Sequence, residues 1–209
     1  MAITEWYVPQ QSDSVPVVHY LYPELAGNAG AFGVTVPAMG DLASRFGPYP
    51  FPEEKYGQAL FPLGGAMEHQ TCTSMGGWAA YGGWEWIIVH ELGHQWRGDM
   101  VTCASFHDVW LNEGFATYGE ALGQEVEGGV GAYHAAMAGN AYWGGGTVYV
   151  ENPEADDIFD YGLSYQKGAH VLHMLRHVVG DSPCFRRPEG IRRAVCLLVG
   201  PHRRSSGGR

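Results

Sequence analysis

The chain has 209 residues, of which 45% are apolar and 16% are charged. This composition supports one folded core and excludes a disordered, highly charged polymer. The 31 glycines and 12 prolines stay below the share of roughly 25–30% that is typical of low-complexity chains. No apolar run approaches the roughly 18 residues that a membrane-spanning helix needs, so we expect no membrane-spanning segment.

Charge is distributed unevenly along the chain. Residues 1–182 carry 21 acidic and five basic side chains, whereas residues 183–209 carry one acidic residue and seven arginines. The acidic part would repel phosphate groups, and we therefore expect no nucleic-acid partner. The abrupt change predicts that residues 183–209 form a basic tail that is non-native or disordered. The alternative is a genuine basic arm that binds an acidic partner.

Apolar alternation and turn residues predict short strands first and helices afterwards. Strands are expected over residues 15–23 and 32–36, and a glycine-led segment at 64–69 allows close backbone approach. Helices are expected over residues 38–46, 84–97, 108–122, 131–138 and 164–179. Strands followed by helices indicate the α+β class rather than an alternating parallel sheet.

The helix expected over residues 84–97 contains His90-Glu91-Leu92-Gly93-His94, the H-E-x-x-H pattern of zinc peptidases. Residues four apart lie one above the other on a helix, so the imidazoles of His90 and His94 can converge on one metal ion. Glu91 lies on the same edge, where its carboxylate can reach a water molecule on the metal. Taken alone, so short a pattern also occurs by chance.

The next expected helix supplies a third ligand. Glu113 follows His94 after 18 intervening residues, which is enough for a turn and an antiparallel return. His90, His94 and Glu113 make the ligand set of a catalytic Zn²⁺, with a fourth position open to water. Glu120 lies two helical turns beyond Glu113, and we expect it to accept the free ring N–H of one histidine. Histidines without ligand spacing are His107, His134, His170, His173 and His177.

Four segments resemble, in order, the motifs of the gluzincin zinc aminopeptidases, the family of aminopeptidase N and leukotriene hydrolase. Residues 65–69 are similar to the G-x-M-E-N exopeptidase signature, and the H-E-x-x-H helix continues in the family's manner to residue 102. Residues 110–118 and 164–169 carry the other two motifs. The resemblance spans roughly residues 6–182 and is specific, because the four motifs differ in chemistry and lie at compatible separations.

The resemblance implies a zinc aminopeptidase that acts on peptides with a free amino terminus. It makes His90, His94 and Glu113 the ligands of one Zn²⁺ and Glu91 the general base. It adds Tyr165 as the residue that stabilises the tetrahedral intermediate, and Glu68 as the anchor for the substrate's α-amine. Each addition fits its chemistry, since a phenol can donate to an oxyanion and a carboxylate binds an ammonium group.

The resemblance also implies a thermolysin-like catalytic domain, in which a small mixed sheet precedes mostly helices, over residues 9–182. Residues 1–8 would be a linker or the end of an amino-terminal β-sandwich, and residues 183–209 the basic tail. The family usually has that β-sandwich and a further helical region, so we expect this chain to be part of a longer one.

His69 stands where the signature usually has Asn, which leaves the recognition of the first substrate residue open.

Two other functions stay open on the sequence alone. The first is a zinc endopeptidase, which would cut blocked peptides internally. A truncated fragment could instead be an inactive peptide-binding module, which metal content and turnover of an aminoacyl anilide would separate from an enzyme.

Overall fold

A five-stranded mixed sheet forms the first part of the fold. The computed structural model describes residues 2–10, 13–62 and 64–181. The strands are β1 (Ala2–Gln10), β2 (Asp13–Leu21), β3 (Tyr56–Phe61), β4 (Ala66–Met67) and β5 (Cys72–Gly76). They lie in the order β1-β2-β3-β5-β4. The edge strands β1 and β4 are antiparallel to their neighbours, whereas the inner pairs are parallel.

Helices make up most of the remainder. The α-helices are α1 (Thr35–Phe46), α2 (Glu85–Gly93), α3 (Trp110–Gly139), which bends at Gly129, and α4 (Gly168–Val179). Wide π-helical turns follow α2 and precede α4, at Gln95–Asp99 and Tyr161–Lys167. Short 3-10 helices lie at Pro23–Phe32, Gly77–Tyr81 and Phe106–Asp108. Within the described ranges, no helix combines the length and apolarity needed to cross a membrane.

The predicted α+β class is confirmed, with two local differences. The strand predicted over residues 32–36 is wrong, because these residues end a 3-10 helix and begin α1. Phe32 and Thr35 are buried on these helical turns, and so short an alternation does not distinguish a strand from turns. The helix predicted over residues 84–97 is α-helical only to Gly93. A π-helical turn begins at Gln95, and the backbone leaves the helical region at Arg97 (φ −134°) and Gly98 (φ 140°).

Residues 2–8 belong to the same sheet as the residues that follow. They lie in β1 and pair with β2, with Val8 opposite Val15. Both valines are buried in a cluster that also contains Met39 of α1 and Leu92 of α2. The expected domain boundary at residue 9 therefore falls inside a strand and not at a break in the sheet. The tail expected over residues 183–209 lies outside the described residues.

Small residues face each other at two places where the helices pack. Gly93 at the end of α2 faces the backbone of Ala116 on α3, where an added methyl carbon would lie 3.5 Å from the Ala116 Cα. Gly114 of α3 faces Gly168, the first residue of α4, and a methyl carbon on Gly114 would lie 2.7 Å from the Gly168 carbonyl carbon. Gly114 is therefore needed for the close approach of α3 and the start of α4, whereas a methyl group on Gly93 would make an ordinary contact with Ala116.

We expect Gly114→Ala to destabilise the chain by about 1–3 kcal/mol, because the new methyl group would meet the backbone of Gly168, which cannot rotate away. The matched control is Gly131→Ala in the same helix, where an added methyl group meets no atom within 4 Å. That variant should be neutral or more stable by up to about 1 kcal/mol, since alanine favours helices. Thermal or urea unfolding of both variants measures the difference, and equal stabilities would contradict the packing argument.

Candidate metal centre and active site

The two histidines of the H-E-x-x-H segment lie inside the protein. His90 is 5% exposed and His94 is 1% exposed, because α2 is packed between the sheet side of the core and α3. Their Nε2 atoms are 3.2 Å apart. One helical turn separates the two residues, so the helix itself directs both rings to the same point.

The other ring nitrogen of each histidine has a partner that determines the tautomer. His94 Nδ1 is 3.0 Å from the carbonyl oxygen of Arg97, which can only accept, so Nδ1 carries the hydrogen. His90 Nδ1 is 2.8 Å from a carboxylate oxygen of Glu120 and donates to it in the same way. In the neutral rings both Nε2 atoms are consequently acceptors, which is the state in which imidazoles bind a metal ion.

Glu113 of α3 completes the set. Its Oε2 lies 3.3 Å from the Nε2 of His90 and 3.3 Å from the Nε2 of His94. Ligands bound to zinc at about 2.0–2.1 Å in a tetrahedron are about 3.3–3.4 Å apart. Within the described residues, these three form the one group of His, Cys, Asp or Glu side chains whose ligand atoms all lie within 4.8 Å of one another. The donor set therefore fits a zinc ion in both chemistry and spacing.

Glu91 points its carboxylate into the same region. The residue is 4% exposed, and its Oε2 is buried without a hydrogen-bond partner among the described residues. Burial raises the pKa of Glu91 to about 7, although His90 and His94 oppose this shift. A buried carboxylate with an unused oxygen can exchange a proton with a small molecule that enters the site.

Tyr165 reaches the site from the wide turn that precedes α4. Its ring stacks on His90, with centroids 5.8 Å apart and planes 18° apart. Burial, followed by the charge of Glu113, raises the pKa of Tyr165. The phenol therefore stays protonated and can donate a hydrogen bond near the three ligand side chains. The contact of Gly114 with Gly168 permits this approach.

Glu68 lies just after β4 at the edge of the sheet and is half-buried. Burial, and to a smaller extent the negative charge of Glu68, raises the pKa of Asp99 to about 7. The same charge contributes to the raised pKa values of Glu91 and Tyr165. The Glu68 carboxylate thus lies within electrostatic reach of the metal-ligand cluster and gives one side of the site a strongly negative potential.

Two contributors to the site carry no recognisable spacing in the sequence. The Arg97 carbonyl that orients His94 is a backbone group, and it becomes available only because α2 ends at Gly93. Gln95 is fully buried and forms hydrogen bonds to the backbone of Thr71 and Glu68. The sequence pattern that could have indicated Gln95 is a polar residue between two apolar core residues, Leu92 and Trp96.

The histidines without ligand spacing have other surroundings. His107 stacks on Tyr149 with ring planes 7° apart. His173 packs against Tyr133, whose hydroxyl lies 2.6 Å from its Nδ1. These contacts are separate from the three-ligand group, which contains neither histidine.

Comparison with known proteins agrees with this geometry. The model of the peptidase family M1 domain matches residues 83–188, about half of the chain, including both helices that carry the ligand group. The chain belongs to peptidase family M1.

Individual M1 relatives support the assignment along most of the chain. Aminopeptidase N of Streptomyces lividans is 32% identical over 85% of this chain. The M1 zinc metallopeptidase of Deinococcus radiodurans is 30% identical over 95% of this chain, with a TM-score of 0.69. A mutant of the Deinococcus protein bound to a Tyr-Ser-Ala substrate is 29% identical over 96% of this chain, also with a TM-score of 0.69.

The M1 domain described here is much shorter than these relatives. It spans 24% of the Streptomyces protein and 44% of the chain in the first Deinococcus structure. The comparison therefore covers one part of these longer relatives.

We expect Glu120→Ala to weaken Zn²⁺ binding about 10- to 100-fold, because His90 would lose the carboxylate that orients its ring and increases its basicity. The control is Glu127→Ala, which removes an exposed acid two helical turns further along α3. Competition with a coloured chelator measures the affinity of both variants. Equal affinities for the wild type and Glu120→Ala would show that Glu120 does not support the metal centre.

Proposed function

We propose that this chain is the catalytic domain of a zinc aminopeptidase, which hydrolyses the first peptide bond of substrates with a free amino terminus. The observation that carries the proposal is the convergence of two imidazole acceptors and one carboxylate, at zinc-ligand spacing, in a member of family M1. Further support comes from the Deinococcus relative, which binds a Tyr-Ser-Ala substrate.

His90, His94 and Glu113 would hold one zinc ion. When bound, zinc would polarise the scissile carbonyl group and acidify a water molecule. Glu91 would take the proton from the attacking water and deliver it to the departing amine, for which its buried, unpartnered oxygen is suited. Tyr165 would donate a hydrogen bond to the carbonyl oxygen as negative charge develops there.

Glu68 would restrict the reaction to amino termini. A free ammonium group is the feature that separates the first bond of a peptide from all later bonds. A carboxylate at a set distance from the metal can therefore select that bond. The electrostatic reach of Glu68 to Glu91, Asp99 and Tyr165 supports this role. His69, beside Glu68, contacts Ser74 through Nδ1 at 3.0 Å.

We expect the purified chain to bind about one zinc per molecule, and His94→Ala or Glu113→Gln to abolish this binding. Glu91→Gln should retain the metal and lose about 10²–10⁴-fold in turnover, because an amide cannot accept the proton from water. Elemental analysis and hydrolysis of an aminoacyl anilide test both statements. Near-normal turnover by Glu91→Gln would refute the assignment of the general base. Bound zinc without turnover in the wild type would favour a peptide-binding module.

Glu68→Ala tests the aminopeptidase assignment. A charge-assisted hydrogen bond to an ammonium group contributes about 1.5–3 kcal/mol, so we expect kcat/KM on free-amine substrates to fall about 10- to 150-fold. The wild type should discriminate strongly against amino-acetylated peptides, and Glu68→Ala should lose much of that discrimination. Glu53→Ala, which removes an exposed acid from a nearby loop, controls for net charge. Equal cleavage of free and blocked peptides by the wild type would favour an endopeptidase.

A further inference from the structure

Gln95 occupies the junction between the metal helix and the segment that carries Glu68. It directly follows His94 in the chain and begins the wide turn Gln95–Asp99. The side chain is completely buried. Because His94 and Gln95 are covalently adjacent, any group that Gln95 holds is positioned relative to a metal ligand through very few rotatable bonds.

The Gln95 amide uses its full hydrogen-bonding capacity. Its Oε1 accepts from the backbone N–H of Thr71 at 2.9 Å and from the Tyr49 hydroxyl at 3.4 Å. Its Nε2 donates to the Glu68 carbonyl oxygen at 3.2 Å and to Asp99 Oδ2 at 2.7 Å. The Thr71 N–H can only donate and the Glu68 carbonyl can only accept, so these partners determine the orientation of the amide.

Two of these bonds hold the connection between β4 and β5 at both ends. Glu68 follows β4 directly, and Thr71 precedes β5. Thr71 has a φ of 59°, and it is the one non-glycine residue with a positive φ in the described part of the chain. A β-branched residue rarely adopts this conformation, so the surrounding contacts must impose it. The bond from its N–H to Gln95 is one such contact, and the bond from its hydroxyl to Glu54 at 3.0 Å is another.

We infer that Gln95 is a positioning residue for amine recognition, which sets the distance between the Glu68 carboxylate and the metal ligands. The inference rests on the proposed aminopeptidase function. In a peptide, the α-amine and the first carbonyl group are separated by a covalently determined distance. An amine anchor is therefore useful only if its own distance from the metal is equally well determined. Gln95 provides that constraint without contacting the substrate.

Gln95→Met tests the inference, because methionine has a similar length and fills the space without forming the four hydrogen bonds. We expect zinc content to stay unchanged and kcat to stay within about threefold. KM for free-amine substrates should rise about 10-fold, and the preference for free over amino-acetylated peptides should fall by about the same factor. Gln95→Glu keeps the shape but loses the donors to both Glu68 and Asp99. It should change KM in the same direction and serves if Gln95→Met does not fold.

The matched control is Gln58→Met, which removes another buried glutamine, hydrogen bonded to Thr35 and located on β3. Its KM and amine preference should equal those of the wild type. A binding measurement avoids turnover: in a Glu91→Gln background, calorimetry should show that Gln95→Met weakens the binding of a free-amine dipeptide but not of its acetylated form.

Three outcomes would overturn the inference. The first is an unchanged KM and amine preference in both Gln95 variants. The second is a loss of zinc, and the third is a fall in kcat at constant KM. Either of the last two would show that Gln95 acts on the metal helix instead. If Glu68→Ala loses amine preference while the Gln95 variants keep it, the aminopeptidase function stands and the positioning role is wrong. If the wild type has no amine preference, the proposed function itself fails.

Discussion

The structure depends on one constraint, the burial of three metal-binding groups whose acceptor atoms face each other at 3.2–3.3 Å. As two neutral imidazoles and a carboxylate, these groups present their lone pairs to one common point. A cation between them converts this arrangement from an electrostatic cost into a favourable interaction. The core around α2 and α3 must therefore hold the helices close enough for ligation, and two small residues, Gly93 and Ala116, face each other where these helices meet.

The partners of these ligands explain two irregular backbone segments. The carbonyl of Arg97 can turn toward His94 because the helix gives way to a wide turn after Gly93, where Gly98 adopts a φ of 140°. A second wide turn before α4 brings Tyr165 over His90. Wide turns of this kind are uncommon in helices and are frequent at functional sites. Both turns here place a group beside the same pair of histidines.

The acidic character of the site has a physical use. Burial, and to a smaller extent the charge of Glu68, raises the pKa values of Glu91 and Asp99, so several acidic groups compete for one region of the site. A divalent metal and the ammonium group of a substrate would each offset part of their negative charge. The Gln95 amide lies between Asp99 and the Glu68 backbone and keeps these groups at set positions without adding charge. The proposed metal site and the proposed amine site would thus share one connected network.

The sequence by itself indicated the ligand set, because His90 and His94 lie one helical turn apart and Glu113 follows at a separation that allows an antiparallel helix. It also indicated the α+β class. Motif resemblance also pointed to Tyr165 and Glu68. The sequence could not place the end of α2, reveal the contact of Gly114 with Gly168, or distinguish Gln95 from any other buried polar residue. Those features depend on backbone atoms and on residues distant in the chain, which come into contact only when the sheet and helices pack; the tertiary structure alone decided them.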